Sequence, residues 1–186
     1  LAAHEAAHAW ASYKLGDATA KVEGRMTLNP LAHIDMYGTV IVPLVLAITG
    51  APVFGWAKPV MIDPRNFKNP TRDYFLSSMA GPLANFVFAV VAALVMRFFP
   101  DTSILRTILY LLIQVNITLG VFNLLPIPPL DGSKIWYLIL PAESAFTLER
   151  FGPVILIAVL IFSSTANNFL LKFVSTISQY LIGLIS

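Results

Sequence analysis

The stretch at residues 75–99, FLSSMAGPLANFVFAVVAALVMRFF, holds no ionisable side chain before Arg97. As a helix rising 1.5 Å per residue, it is long enough to cross a hydrocarbon core of about 30 Å. Working downstream, the short connection PDTS at 100–103 leads into a second apolar run, ILRTILYLLIQVNITLGVFNLL at 104–125, which carries Gln114, Asn116 and Asn123. A connection this short makes the two helices antiparallel neighbours. Upstream, GWAKPVMIDPRNFKNPTRDY at 55–74 has three prolines and four of the twelve basic residues, so it reads as an interfacial or aqueous loop. Before it, 38–54 is long enough for a tilted or interrupted span kinked at Pro43. After PIPPLDG come a short amphipathic piece and apolar runs at 153–163 and 169–185. The expectation is an all-α polytopic membrane protein, a bundle of four to six transmembrane helices forming one domain over 1–186.

Composition agrees. Hydrophobic residues make up 57% of the 186 and charged residues 12%, about half the charged fraction of an ordinary soluble domain. Mean hydropathy is +0.75. The formal charge of +2 is scattered, with no basic tract to suit a nucleic acid. Cysteine is absent, which excludes disulfides, thiolate metal sites and a cysteine nucleophile. No signal-peptide pattern opens the chain. Basic residues gather at 14–25 and 58–72, a cytoplasmic signature. A full span at 38–54 would put those two loops on opposite faces, so orientation stays open.

The N-terminal region is where chemistry enters. Residues 2–14 read as an alanine-rich helix ending near Lys14 and Gly16, too short to span and apparently cut at Leu1. From Asp17 to Tyr37 the chain is polar, and Val22–Leu28 suits an extended piece or hairpin. Within the helix lies His4-Glu5-Ala6-Ala7-His8. Residues four apart share a face, so both imidazoles can reach one ion while Glu5 approaches a ligand of that ion. The bland alternative is a chance arrangement on a core helix. Three specified positions make that uncommon, and ionisable groups at membrane depth are costly unless functional. Zinc suits such a pair, with a third protein ligand, a water and Glu5 as general base.

The inventory for the third ligand is small. Asp131, in the irregular NLLPIPPLDG after an apolar helix, is one candidate, since irregular backbone at membrane depth lines a cavity. A capping aspartate in a surface turn is the plainer reading. His33 in NPLAHID competes, its plainer reading being a bond to a loop carbonyl. The other acids, Asp17 and Asp73 among them, sit in loops among basic residues and read as solvated.

In order, HEAAHAW, GRMTLNPLAHID, FGWAKPV, AGPLAN and NLLPIPPLDG cover residues 4 to 132. This combination resembles the site-2 protease family of intramembrane zinc metalloproteases, particularly its short prokaryotic members. The resemblance implies His4, His8 and Asp131 as zinc ligands, Glu5 as general base, and Asn123 as a donor near the scissile carbonyl. An amide N–H can stabilise an oxyanion, although asparagine also makes plain interhelical bonds. In AGPLAN, Ala80, Gly81 and Ala84 allow close helix approach and Asn85 can hydrogen-bond across it. The stretches 20–28 and 54–62 are implied edge strands, or a small β-hairpin, holding an extended substrate near the active site. His33 is left as a second-shell or regulatory group.

The implied protein is a multi-pass enzyme of a prokaryotic cell membrane. Its partners are the lipid bilayer and a membrane-protein substrate with a transmembrane segment. Met36 and Tyr37 depart from the family pattern, and no PDZ-like domain is appended. A metal-binding transporter or channel is the rival reading, and it would require more polar residues along the spans than Gln114 and Asn116.

Overall fold

In the computed structural model, which describes residues 1–50, 55–165 and 168–185, regular structure is helical and no strand forms among the described residues. The end of the expected 38–54 span, residues 51–54, lies outside that set. The chain divides into two compact units, Leu1–Ser77 and Ser78–Ser186.

In the first unit, alanine-rich α1 (Ala2–Leu15) stops at Gly16, whose left-handed backbone (φ 118°) only glycine adopts without strain. Asp17 N–H returns to Ser12 O at 2.9 Å to close the helix end. A short α2 (Thr19–Val22) and a 3₁₀ turn (Pro30–His33) follow, the latter capped by Asn29, whose side chain accepts from Leu31 N–H. A π turn (Met36–Ile41) runs into α3 (Val42–Thr49), which ends at Gly50. The expected hairpin at 22–28 is absent: this piece is the end of α2 followed by bends. Residues 55–63 form no regular element and meet no strand among the described residues. Their alternate amides turn instead to other acceptors, Trp56 N–H to Gly38 O (3.1 Å), Lys58 N–H to His33 O (2.9 Å) and Val60 N–H to a carboxylate. Trp56 fits because position 38 is glycine, where a Cβ would lie 2.3 Å from the indole.

Helix α4 (Pro70–Met96) starts in the first unit, its first turn closed by Asp73, which accepts from Asn69 N–H, and continues into the second. There α5 (Ile104–Asn123) begins at Ser103, whose hydroxyl accepts from Leu105 N–H. Arg106, awkward in an apolar run, bonds the carbonyls of Met96 and Phe99 and pairs with Asp101, so its charge stays at the turn. A 3₁₀ turn (Asp131–Ile135), α6 (Trp136–Ile139), α7 (Ala142–Arg150), α8 (Gly152–Thr165) and α9 (Phe169–Ile185) complete the unit.

Its core is a seam of side chains at helical spacing: Ala89 and Ala93 from α4, Ile113 and Ile117 from α5, Leu170 and Val174 from α9. Gly120 lets the Phe86 ring reach the α5 backbone, since a Cβ there would lie 2.9 Å from it. Outside this seam, Leu83, Val87, Val91, Ile108, Leu112 and Val115 are exposed, an apolar exterior that suits lipid.

Two helices, α4 (mean hydropathy 2.1) and α5 (1.7), are long and apolar enough to cross a membrane. The pair α7 and α8 makes a third if its 62° bend is one broken span. Met36–Thr49 and Phe169–Ile185 are apolar but shorter.

Candidate metal centre

The i, i+4 spacing on α1 stacks His4 over His8. Both are buried, their rings meet edge to face at 4.6 Å, and the two Nε2 atoms are 3.1 Å apart. A carbonyl oxygen can only accept, so the 2.8 Å contact between His8 Nδ1 and Ser77 O places the proton on Nδ1. His8 Nε2 then carries a lone pair directed at its partner. This is the second-shell arrangement that fixes the tautomer of a ligating histidine. Two nitrogens on one tetrahedral zinc, each about 2.0–2.1 Å from it, lie about 3.3 Å from each other. The observed 3.1 Å is within a few tenths of that, so the pair fits a shared ion.

Glu5, next to His4, is half-buried, and its Oε2 accepts the Val60 N–H at 3.0 Å. The carboxylate is therefore held at Oε2 by a backbone amide 55 residues downstream.

His33 is buried elsewhere in the same unit. Its Nε2–H donates to Thr27 O at 2.9 Å, its own carbonyl accepts from Lys58 N–H, and its Nδ1 has no hydrogen-bond partner. The loop-carbonyl reading of this histidine is the observed one.

Asp131, Asn123 and Asn85 belong to the second unit. Asn85 is buried on α4 and Asn123 ends α5. Asp131 opens the 3₁₀ turn after the proline run, and the turn is seated tightly. A Cβ on Gly132 would come within 2.1 Å of Leu124 O, so only glycine lets the backbone lie against the end of α5. Ser133 N–H and Oγ both donate to Leu130 O, at 3.0 and 2.6 Å. From the same turn the buried Lys134 ammonium pairs with Glu149 on α7, and Tyr137 OH donates to that carboxylate as well. Burial, and after it Glu149, push the Tyr137 phenol well above its ordinary value, so it remains a donor.

Sequence reasoning missed three contributors: the Ser77 carbonyl, the Val60 amide and Asp17. The first two are backbone groups that leave no mark in a sequence. Asp17, read as solvated, is fully buried and accepts four hydrogen bonds. D-x-T directly after a helix-ending glycine was the available signal. Asp73 is buried too, as the cap of α4.

A family model described as peptidase family M50 matches residues 100–166. YwhC of Bacillus subtilis is 39% identical over 141 residues, covering 71% of this chain and 61% of that protein. Rip2 of Mycolicibacterium smegmatis is 33% identical over 135 residues, covering 71% and 51%. The zinc metalloprotease MJ0392 of Methanocaldococcus jannaschii is 30% identical over 113 residues, covering 58% and 33%. The chain thus spans roughly half to three fifths of the length of YwhC and Rip2. No solved structure matches it.

Proposed function

Since the chain belongs to peptidase family M50, we propose that it is the core of an intramembrane zinc metalloprotease that hydrolyses peptide bonds in or near transmembrane segments of other membrane proteins. The observation that carries this reading is the buried His4–His8 pair beside a carboxylate fixed by a backbone amide. His4, His8 and Asp131 hold the zinc. Support for Asp131 is its place in a rigidly seated turn of the family's LDG pattern. When bound, zinc supplies Lewis acidity, which makes a water more acidic and polarises the scissile carbonyl.

The residues of the chain do the rest. Glu5 accepts a proton from the attacking water at Oε1 while Val60 N–H steadies Oε2. As the carbonyl carbon gains a C–O bond, the Asn123 side-chain amide donates to the developing oxyanion. Glu5 then returns the proton to the leaving nitrogen as the C–N bond breaks, giving a carboxylic acid and an amine. Residues 55–63 are the surface against which an unwound substrate lies. Asn85 ties neighbouring helices at the site.

The surrounding bundle has four to six membrane-crossing segments. The shorter apolar helices Met36–Thr49 and Phe169–Ile185 support the count beyond α4, α5 and the bent pair. The partners are the bilayer and a membrane-protein or peptide substrate with a transmembrane segment. The relatives named zinc metalloproteases favour the protease over the transporter or channel reading.

The test is zinc content by elemental analysis with cleavage of doubly tagged single-span membrane proteins co-expressed with the enzyme. Wild type is expected to hold one zinc and cut. Glu5→Gln is expected to hold zinc without cutting, and Asp131→Ala to lose both. Cleavage by Glu5→Gln at the wild-type rate would overturn the assignment.

A further inference from the structure

The proposed reaction gives Asp17 no task, yet the fold invests heavily in it. A buried carboxylate is costly unless it is hydrogen-bonded, and here both oxygens are, by four donors in all. Oδ1 accepts from Thr19 N–H (3.1 Å), Thr19 Oγ1–H (2.5 Å) and Asn66 Nδ2–H (2.8 Å), while Oδ2 accepts from Asp63 N–H (2.9 Å). Thr19 is local. Asp63 and Asn66 lie 46 and 49 residues downstream, on the segment whose Val60 N–H holds Glu5. The same segment touches the helix end at Gly16, where a Cβ would be 3.1 Å from Asn66 O.

Two carboxylates at opposite ends of α1 therefore grip one piece of chain by its amides, Glu5 at Val60 and Asp17 at Asp63. Between those grips the backbone has no strand neighbour to fix its register. Proline at 64 and the Asp63 side chain, which accepts from Arg65 N–H, start a tight turn immediately after the second grip. Upstream, Lys58 N–H on His33 O holds one side of Val60 and Asp63 N–H on Asp17 holds the other; without the Asp17 grip the segment is anchored on one side only.

We propose that Asp17 is a positioning residue for the general base, holding residues 60–66 so that Val60 N–H keeps the Glu5 carboxylate aimed. The proposal rests on the zinc-protease reading for its kinetic consequence but not for its structural one. A cap serving only α1 and α2 would depend on the Thr19 bonds and be indifferent to those from Asp63 and Asn66.

The experiment is amide hydrogen exchange across residues 55–66 of the zinc-loaded protein in detergent, alongside kcat on a cleavable tagged membrane protein. The variants are Asp17→Asn, Asn66→Ala and Thr19→Val. Asp17→Asn and Asn66→Ala are expected to speed Val60 exchange by roughly tenfold and to lower kcat by roughly 10- to 100-fold, as small misplacements of catalytic groups do. Zinc content and exchange within α1 should remain at wild-type levels. Thr19→Val removes the hydroxyl's bond to Asp17 and a long 3.3 Å bond from Asn66 Nδ2, but it leaves the Asp63 and Asn66 bonds to Asp17 in place, so Val60 exchange and kcat should stay within about twofold of wild type.

If Asp17→Asn does not fold, Asn66→Ala decides alone. Unchanged Val60 exchange, faster exchange at full kcat, or equal losses from Thr19→Val would each overturn the proposal. Glu5→Gln run in parallel separates the two readings: if it still cuts, the protease assignment falls while the exchange data still show whether Asp17 holds the segment.

Discussion

Replacing Gly132 by alanine tests the seating of the Asp131 turn. The added Cβ would lie 2.1 Å from Leu124 O, 2.4 Å from Leu124 C and 2.7 Å from Leu125 O. All three are backbone atoms at the end of α5, so no side-chain rotation relieves the clash. Restoring ordinary contact needs a shift of about 1 Å in a close-packed region. Overpacking of this kind costs about 1–3 kcal/mol of stability. A metal ligand tolerates only about 0.2 Å, so the displaced Asp131 should lose roughly 10- to 100-fold in zinc affinity, on the scale of lost second-shell support. The control is Gly183→Ala on α9, where nothing lies within 4 Å of the new Cβ. It should leave zinc affinity unchanged and add up to about 1 kcal/mol through helix propensity. Chelator competition and thermal unfolding of the detergent-purified proteins measure both quantities. Wild-type zinc affinity in Gly132→Ala would refute the claim that this turn positions a ligand.

Other outcomes follow from the same contacts. His33→Ala should keep its zinc and lose about 1–2 kcal/mol with the Thr27 bond, read by metal content and Tm; loss of zinc would make His33 a ligand after all. Lys134→Met leaves Glu149 without its ammonium partner and should cost on the order of 2–3 kcal/mol, less than a fully buried pair because Glu149 is partly exposed. The double change with Glu149→Gln should recover much of that loss in a double-mutant cycle. Burial opposes ionisation of Asp17, but bonds from Thr19, Asn66 and the Asp63 amide outweigh it and hold its carboxyl below the ordinary value; Arg65 holds the exposed Asp63 down to about 2. A depressed native pKa stabilises above the unfolded value and is lost as pH falls through the native one. The Tm advantage of wild type over Asp17→Asn should therefore be constant above about pH 5 and shrink from about pH 4 downward; an advantage that grows as pH falls would contradict the hydrogen-bond account.

Some of this was legible in the sequence because it is local. The i, i+4 spacing of His4 and His8 is a property of any α-helix, and the hydropathy of 75–99 and 104–125 is a property of composition, so the paired histidines and the two long spans could be read directly. Gly16 announced its helix end for the same reason. Long-range pairing left no such mark. Hydropathy does not show the 62° bend at Phe151 between amphipathic α7 and apolar α8, nor that the amides of 55–63 turn to carbonyls and carboxylates instead of a second strand. Asp17 shows the difference most clearly. In sequence it is an acid beside lysines and so appears solvated; in the fold its environment is set by Asp63 and Asn66, 46 and 49 residues away. Helix periodicity and membrane solvation are determined within a few residues of any position. The partner that satisfies a buried charge is determined only when the chain has closed on itself.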